Sequence, residues 1–309
     1  MSEDKNFAGL PRRQFVALTG AAGAAALLAG AGAVSSAAAA ALPTHGETSS
    51  DPCPCTPPDS GPGAEASPCP PAQLQSVCGH PSDRDPLWND VQYCTNGTPP
   101  PAPQRAPDCL KTTSNYVVLH GKPENQHNYL LCPSCRITGI ECPFLESASA
   151  ANYWNDAWEN AKHGGSVPVN YSNIGLGINS KSARRFDQLH IHMAGVRDST
   201  QKRLQDLETA GRVAAHPAQW NDSHYQVPIT GSQGDRTYRA LVLTSLGRNL
   251  FSLLNQYVVT PSNLDMAEQT LIVVPKMTNG VFADRFYVLS SDTSIHGGTR
   301  TCDFLLVYA

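Results

Sequence analysis

Hydrophobic and polar positions alternate most strictly over residues 186–193, Phe-Asp-Gln-Leu-His-Ile-His-Met. The two-residue period predicts a β-strand that sends Gln188, His190 and His192 to one face and Leu189, Ile191 and Met193 to the other. Upstream, over residues 173–179, Ile174, Leu176 and Ile178 alternate with Gly175 and Gly177. That pattern predicts a second strand, whose glycine face lets a ligand or another backbone come close. Residues 180–187 join the two strands as a hairpin. An earlier hairpin is predicted from strands at 115–120 and 128–132 around a turn at 122–125.

Helical spacing is plainest at 149–162, where Trp154 and Trp158 fall on one side with Tyr153 and Ala157, and Gly164 and Gly165 end the pattern. This predicts an amphipathic helix with an aromatic core face. A second helix is predicted from an Asp198 cap to residue 211, with Leu204 and Leu207 on one side. One or two helical turns fit within 83–92, and residues 214–233 read as a loop. The C-terminal part predicts a strand, a helix and three more strands, at 239–243, 249–257, 270–274, 285–289 and 303–307.

Composition narrows the class. With 309 residues, a formal net charge of −4, 16% charged and 7% aromatic residues, the chain is bounded to one medium domain with appendages. A repeat protein or a membrane bundle would read differently. Residues 1–41 set Arg12 and Arg13 ahead of a weakly apolar Ala/Gly run, the layout of a twin-arginine (Tat) export signal, cleaved or kept as an anchor. The expected destination is the periplasm or cell envelope, membrane-anchored or secreted. Residues 42–82 form a Pro/Gly/Cys-rich linker with too few apolar residues to offset its ordering entropy, and the folded domain is expected at 83–309.

Ten cysteines in an exported chain predict disulfides. Local pairing is expected among Cys53, Cys55, Cys69 and Cys78. Cys94 is expected to pair with Cys109, a loop closure that stabilises by about 3 kcal/mol in the chain-entropy model. Cys132-Pro133-Ser134-Cys135 has redox spacing but follows a strand instead of opening a helix, so structural cysteines are expected there.

His190 and His192 admit three readings. They can be polar residues on the wetter face of a strand, two ligands of a metal that takes its others from elsewhere, or a nucleophilic histidine with a hydrogen-bonding neighbour at phosphorus. Lys181, Arg184, Arg185 and Arg197 flank the strand. This concentrates positive charge locally in a slightly negative chain, which suits a phosphate.

Residues Asn128-Tyr129-Leu130-Leu131-Cys132-Pro133, Arg136-Ile137-Thr138-Gly139, Ile178-Asn179-Ser180-Lys181, Arg184 and His190-Ile191-His192 together resemble the CDP-diacylglycerol pyrophosphatases, a branch of the histidine-triad superfamily. The resemblance covers roughly residues 83–309 and is sharpest at 115–197. It implies an α+β domain with a histidine-triad-like antiparallel sheet, flanking helices, and a second strand layer from the C-terminal half, where Cys302 has a counterpart. It implies hydrolysis of CDP-diacylglycerol, a membrane lipid, to CMP and phosphatidate, so a membrane surface is the expected setting. His190 would form the covalent CMP–histidine, with His192 beside it. Gln188 stands where the triad has its first histidine; an amide can donate there but does not titrate. Gln188, Asn179, Lys181, Arg184 and Arg136 are expected to bind substrate, and no metal, cofactor, nucleic acid or protein partner is expected. A hydrolase of a soluble nucleotide, a metal-binding protein and a non-catalytic exported binding protein stay open.

Overall fold

In the computed structural model, which describes residues 78, 85–121, 127–147, 150–168, 171 and 173–308, the chain enters its fold through helix α1 (Pro86–Asn96). Proline opens the helix, and Gly97 ends it by turning left-handed at φ 74° and donating its N–H to Tyr93 O. Nothing breaks the helix before Gly97, so it outruns the one or two turns expected and carries Cys94. There follow β1 (Cys109–Thr112), β2 (Tyr116–His120), β3 (Tyr129–Pro133), α2 (Tyr153–Ala161), β4 (Ile174–Ile178), β5 (Ile191–Val196) and α3 (Asp198–Thr209). The C-terminal part adds β6 (Gln226–Gly231), β7 (Gly234–Leu243), α4 (Leu250–Leu254), β8 (Thr270–Thr278), β9 (Val281–Ser291) and β10 (Leu306–Val307).

Both predicted hairpins form: Leu119 pairs with Leu130 across β2 and β3, and Leu176 with Met193 across β4 and β5. The turn at 122–125 lies outside the described residues. Trp154 and Trp158 of α2 are buried in the core, and the Asn152 side chain caps the helix by accepting from Asn155 N. Asp198, expected as the cap of α3, sits in its first turn and accepts from Asn173 Nδ2 at 2.6 Å; Arg197 holds the cap position. The expected loop at 214–233 contains β6. That strand lies at the sheet edge, where Pro228 is tolerated while Val227 and Ile229 face inward.

Among the described residues, the expected second strand layer is not present. The strands form one antiparallel sheet in the order β1-β2-β3-β5-β4-β8-β9-β7-β6, with β10 beside β5. β8 fills the open edge of β4 through Ile178↔Leu271 and Leu176↔Val273. The C-terminal strands therefore widen the first sheet, because both of its faces are already covered. One face packs Val118, Leu131, Met193, Leu176 and Val273 against α2 and α4. The other is shared by two clusters. Val117, Leu119 and Leu130 lie under α1, and Ala194, Ile272 and Tyr287 lie under α3 and the C-terminal turn.

Cys94 and Cys109 are bonded as expected, stapling α1 to β1. Cys78 bonds to Cys142, 64 residues on, instead of pairing locally, and Thr138 Oγ1 donates to Cys78 O at 3.0 Å beside that link. Cys53, Cys55 and Cys69 lie outside the described residues, as do residues 1–41. Cys135 is disulfide-bonded and Cys132 is a buried thiol, so the Cys-x-x-Cys spacing is structural. Among the described residues, no helix is long and apolar enough to cross a membrane.

Candidate active site

His192 of β5 pairs with Leu130 of β3 on one side and Gly177 of β4 on the other. Paired residues share a face, so all three lie on the side between the two smaller clusters. A cavity of about 380 Å³ opens there, and its walls include His190, His192, Asn128, Asn179, Arg185 and Asp303.

The expected strand at 188–193 begins only at Ile191. Gln188 and Leu189 are drawn instead to the segment after β3. Gln188 Nε2 donates to Pro133 O and Cys135 O, both at 3.1 Å, and Leu189 N–H donates to Ile137 O at 2.6 Å. His190 precedes the strand, yet its ring meets that of His192 at 4.9 Å between centroids. Its Nδ1 lies 2.7 Å from Gln188 O. A carbonyl only accepts, so Nδ1 carries the proton and Nε2 the lone pair. Burial, reinforced by positive charge on neighbouring His192, pushes the His190 pKa down to about 3, against the backbone bond that opposes the shift. The imidazole is neutral at ordinary pH.

His192 Nδ1 lies 3.0 Å from Asn128 Oδ1, while its buried Nε2 has no hydrogen-bond partner. Burial lowers the His192 pKa and the Asp303 carboxylate works the other way. Asp303 arrives on the turn before β10. A Cβ at Gly177 would lie 2.6 Å from Cys302 Cβ, so the glycine face of β4 admits this turn against the sheet. Asn179 pins the turn by accepting Cys302 N–H on Oδ1 at 2.8 Å. Close approach was legible in the glycines; the occupant was not.

His190, His192 and Asn179 are thus brought together. Gln188, Lys181, Arg184 and Arg136 do not line the cavity. The Gln188 amide is committed to two backbone carbonyls. Arg184, expected to bind substrate from the segment joining the two strands, is buried and forked onto Glu141 at 2.6 and 2.7 Å and onto Asp187 at 2.9 Å. Arg136 pairs with Asp85 and lies over the Trp88 ring. Lys181 is exposed outside the lining. The cation on the cavity wall is the adjacent Arg185, with its guanidinium 5.2 Å from the Phe186 ring centroid. Neighbouring residues on a loop face different ways, and charge alone does not rank them. Asn128 lay within the motif at the start of β3, whereas Asp303 carried no local sequence signal.

A ring nitrogen of His192, the Cys302 thiol and an Asp303 oxygen lie within 4.8 Å of one another, a donor set for a small cation that excludes His190. Burial, then Asp303, push the Cys302 thiol well above its ordinary value in the absence of a cation. The better chemical fit of the cavity is a neutral imidazole nucleophile beside a second imidazole, an arginine and a carboxylate, a set suited to phosphorus chemistry.

Residues 82–301 match the family model for CDP-diacylglycerol pyrophosphatase (CDH). The chain is 32% identical over 184 residues to a CDP-diacylglycerol pyrophosphatase of Mycobacterium bovis BCG, covering 55% of this chain and 64% of that protein. It is 32% identical over 209 residues to a probable CDP-diacylglycerol pyrophosphatase of Mycobacterium leprae, covering 65% of this chain and 71% of the relative. A Yersinia pestis protein of the same name is 30% identical over 158 residues, 48% of this chain and 55% of its own. The match thus spans less than two thirds of the length of the Mycobacterium bovis relative.

Proposed function

The chain belongs to the CDP-diacylglycerol pyrophosphatase family, and on that premise we propose that it is a hydrolase converting CDP-diacylglycerol to CMP and phosphatidate through a covalent CMP–His190 intermediate. The observation that carries the covalent step is the 2.7 Å contact from His190 Nδ1 to Gln188 O, which leaves Nε2 as the basic ring nitrogen of a neutral, cavity-lining imidazole. In the proposed reaction Nε2 attacks the phosphorus bearing cytidine. The P–O bond to phosphatidate breaks, and its electron pair leaves with phosphatidate. Nδ1 keeps its proton, so the adduct is an imidazolium with a weak P–N bond. Water then attacks phosphorus, the P–N pair returns to Nε2, and CMP leaves.

In this scheme Arg185, on the cavity wall, neutralises the diphosphate, and His192, when protonated on its unpartnered Nε2, donates to a non-bridging oxygen. Asn179, on the cavity wall, supports the site by holding the Cys302 turn. The cavity of about 380 Å³ falls within the roughly 300–1,000 Å³ of small-ligand sites, a size that suits a nucleoside diphosphate headgroup with its acyl chains left in a bilayer. The proposed setting is a membrane surface outside the cytoplasm, reached by the twin-arginine signal at 1–41. The Cys94–Cys109 and Cys78–Cys142 bonds support an oxidising compartment.

The test is CMP release by purified protein from CDP-diacylglycerol in mixed micelles, run beside a soluble CDP ester. Faster release from the lipid is expected. Equal or faster release from the soluble ester would move the assignment to a soluble nucleotide.

A further inference from the structure

We propose that Asp303 is the general base that activates water for attack on the CMP–His190 adduct. This rests on the covalent scheme above and adds a residue that lies just beyond the stretch matched by the family model.

The fold places it. The glycine face of β4 lets the turn at 302–305 lie against the sheet beside His192, with Asn179 Oδ1 clamping its first backbone N–H. Asp303 then lines the cavity, with a carboxylate oxygen within 4.8 Å of a His192 ring nitrogen. The residue as a whole keeps exposed surface, so water reaches it, while its carboxylate lies in the cavity beside His192. Its orientation is also fixed: Tyr308 Oη donates to Asp303 Oδ1 at 2.6 Å, and the Tyr308 ring packs edge-on against His192.

The carboxylate stays ionised. Burial works to raise its pKa, but His192 and hydrogen bonds from Tyr308, Thr301 and Asn179 outweigh that and hold it below the usual value. Its charge reaches both histidines, acting to raise the proton affinity of each.

The other candidates on or beside the wall are held elsewhere or assigned another role, and His120 stacks on the Tyr129 ring at 4.8 Å between centroids. Gln188 does not titrate, and its amide faces two carbonyls outside the cavity. Asp90, the other carboxylate on the wall, is buried and accepts Gln104 Nε2 at 2.6 Å. His192 faces Asn128 Oδ1 with Nδ1 at 3.0 Å, and the scheme above assigns its Nε2 to a phosphate oxygen.

In the proposed step the water oxygen bonds to phosphorus as one water proton passes to Asp303. The P–N bond breaks, and its pair returns to His190 Nε2. CMP keeps the second water proton on its new hydroxyl, and Asp303 later yields its proton to solvent.

The experiment is a single-turnover rapid quench with CDP-diacylglycerol labelled in the cytidylyl phosphate, on wild type, Asp303→Asn and Asp303→Glu. Asn retains an acceptor for Tyr308 Oη, and circular dichroism with urea unfolding checks each fold. In Asp303→Asn, hydrolysis of the adduct is expected to slow by roughly 10²–10⁴-fold, far more than its formation slows, so labelled protein accumulates. Asp303→Glu is expected to restore part of the hydrolysis rate. Hydrolysis at the wild-type rate in Asp303→Asn, or a defect confined to adduct formation, overturns the assignment and leaves the covalent scheme standing. Stoichiometric metal in the wild type that is lost in Asp303→Asn also overturns it. Absence of adduct from the wild type sinks the covalent scheme, and this proposal with it.

Discussion

His190 Nδ1 lies 2.7 Å from the carbonyl oxygen of Gln188, two residues earlier in the same chain. The side chain at position 188 does not titrate, but its backbone settles which nitrogen of the proposed nucleophile holds the proton.

The buried neutral state has a thermodynamic signature. Because the His190 pKa is depressed to about 3, the unfolded chain takes up this proton first as pH falls. Its contribution to stability is therefore full above the unfolded value near 6.5 and is lost on the way down to the folded value. Urea unfolding of wild type and His190→Gln checks this. Lowering the pH from about 7.5 to about 5 should destabilise wild type by about 2 kcal/mol more than the variant. Equal losses would mean that His190 is not held neutral.

Arg184 and Arg185 should separate cleanly. Arg184→Ala leaves Glu141 and Asp187 without their shared guanidinium, and loss of one partner of a buried pair costs about 3–5 kcal/mol. Arg185→Ala, on the exposed wall of the cavity, should change stability by no more than about 0.5 kcal/mol. It should lower kcat/KM on the order of a hundredfold. Thermal melts and steady-state kinetics on both variants decide this, and a reversed pattern would return Arg184 to the substrate.

Gln188→Leu should be a stability variant before it is a kinetic one. It removes the donor shared by Pro133 O and Cys135 O, a loss of about 2–3 kcal/mol in a buried setting. The folded fraction should keep far more activity than His190→Ala. A wild-type melting temperature with collapsed kcat would instead put the amide on the phosphate.

Replacing both Cys94 and Cys109 with serine should lower stability by about 3 kcal/mol. The link anchors α1, and Leu87 and Asp90 of α1 form part of the cavity wall, so KM should rise more than kcat falls. An unchanged KM would show that α1 keeps its place without the staple.

The two hairpins were legible because alternation over 115–120, 128–132 and 173–179 is a local property of strands whose partner lies next in the chain. The pairing of β8 with β4 was not, since it joins segments far apart whose apolar runs fit an extended sheet and a second layer equally well. His190 and His192 stood out by spacing. Arg184 and Arg185 could not be told apart, because the outcome depends on Glu141, a residue from another loop that captures one of them. Asp303 was hidden for the same reason. Its position beside His192 is created by Gly177 and Asn179, which make room for a turn that follows much later in the chain.

The central claim is that His190 makes and breaks a bond to phosphorus. Acid-labile, base-stable label on wild-type protein, quenched during turnover of CDP-diacylglycerol labelled in the cytidylyl phosphate and mapped by peptide sequencing, tests it most directly. Label is expected on His190, forming and decaying at rates compatible with CMP release, and none on His190→Ala, while His192→Ala forms it slowly. Label on the His190→Ala protein, or wild-type turnover by that variant, would contradict it.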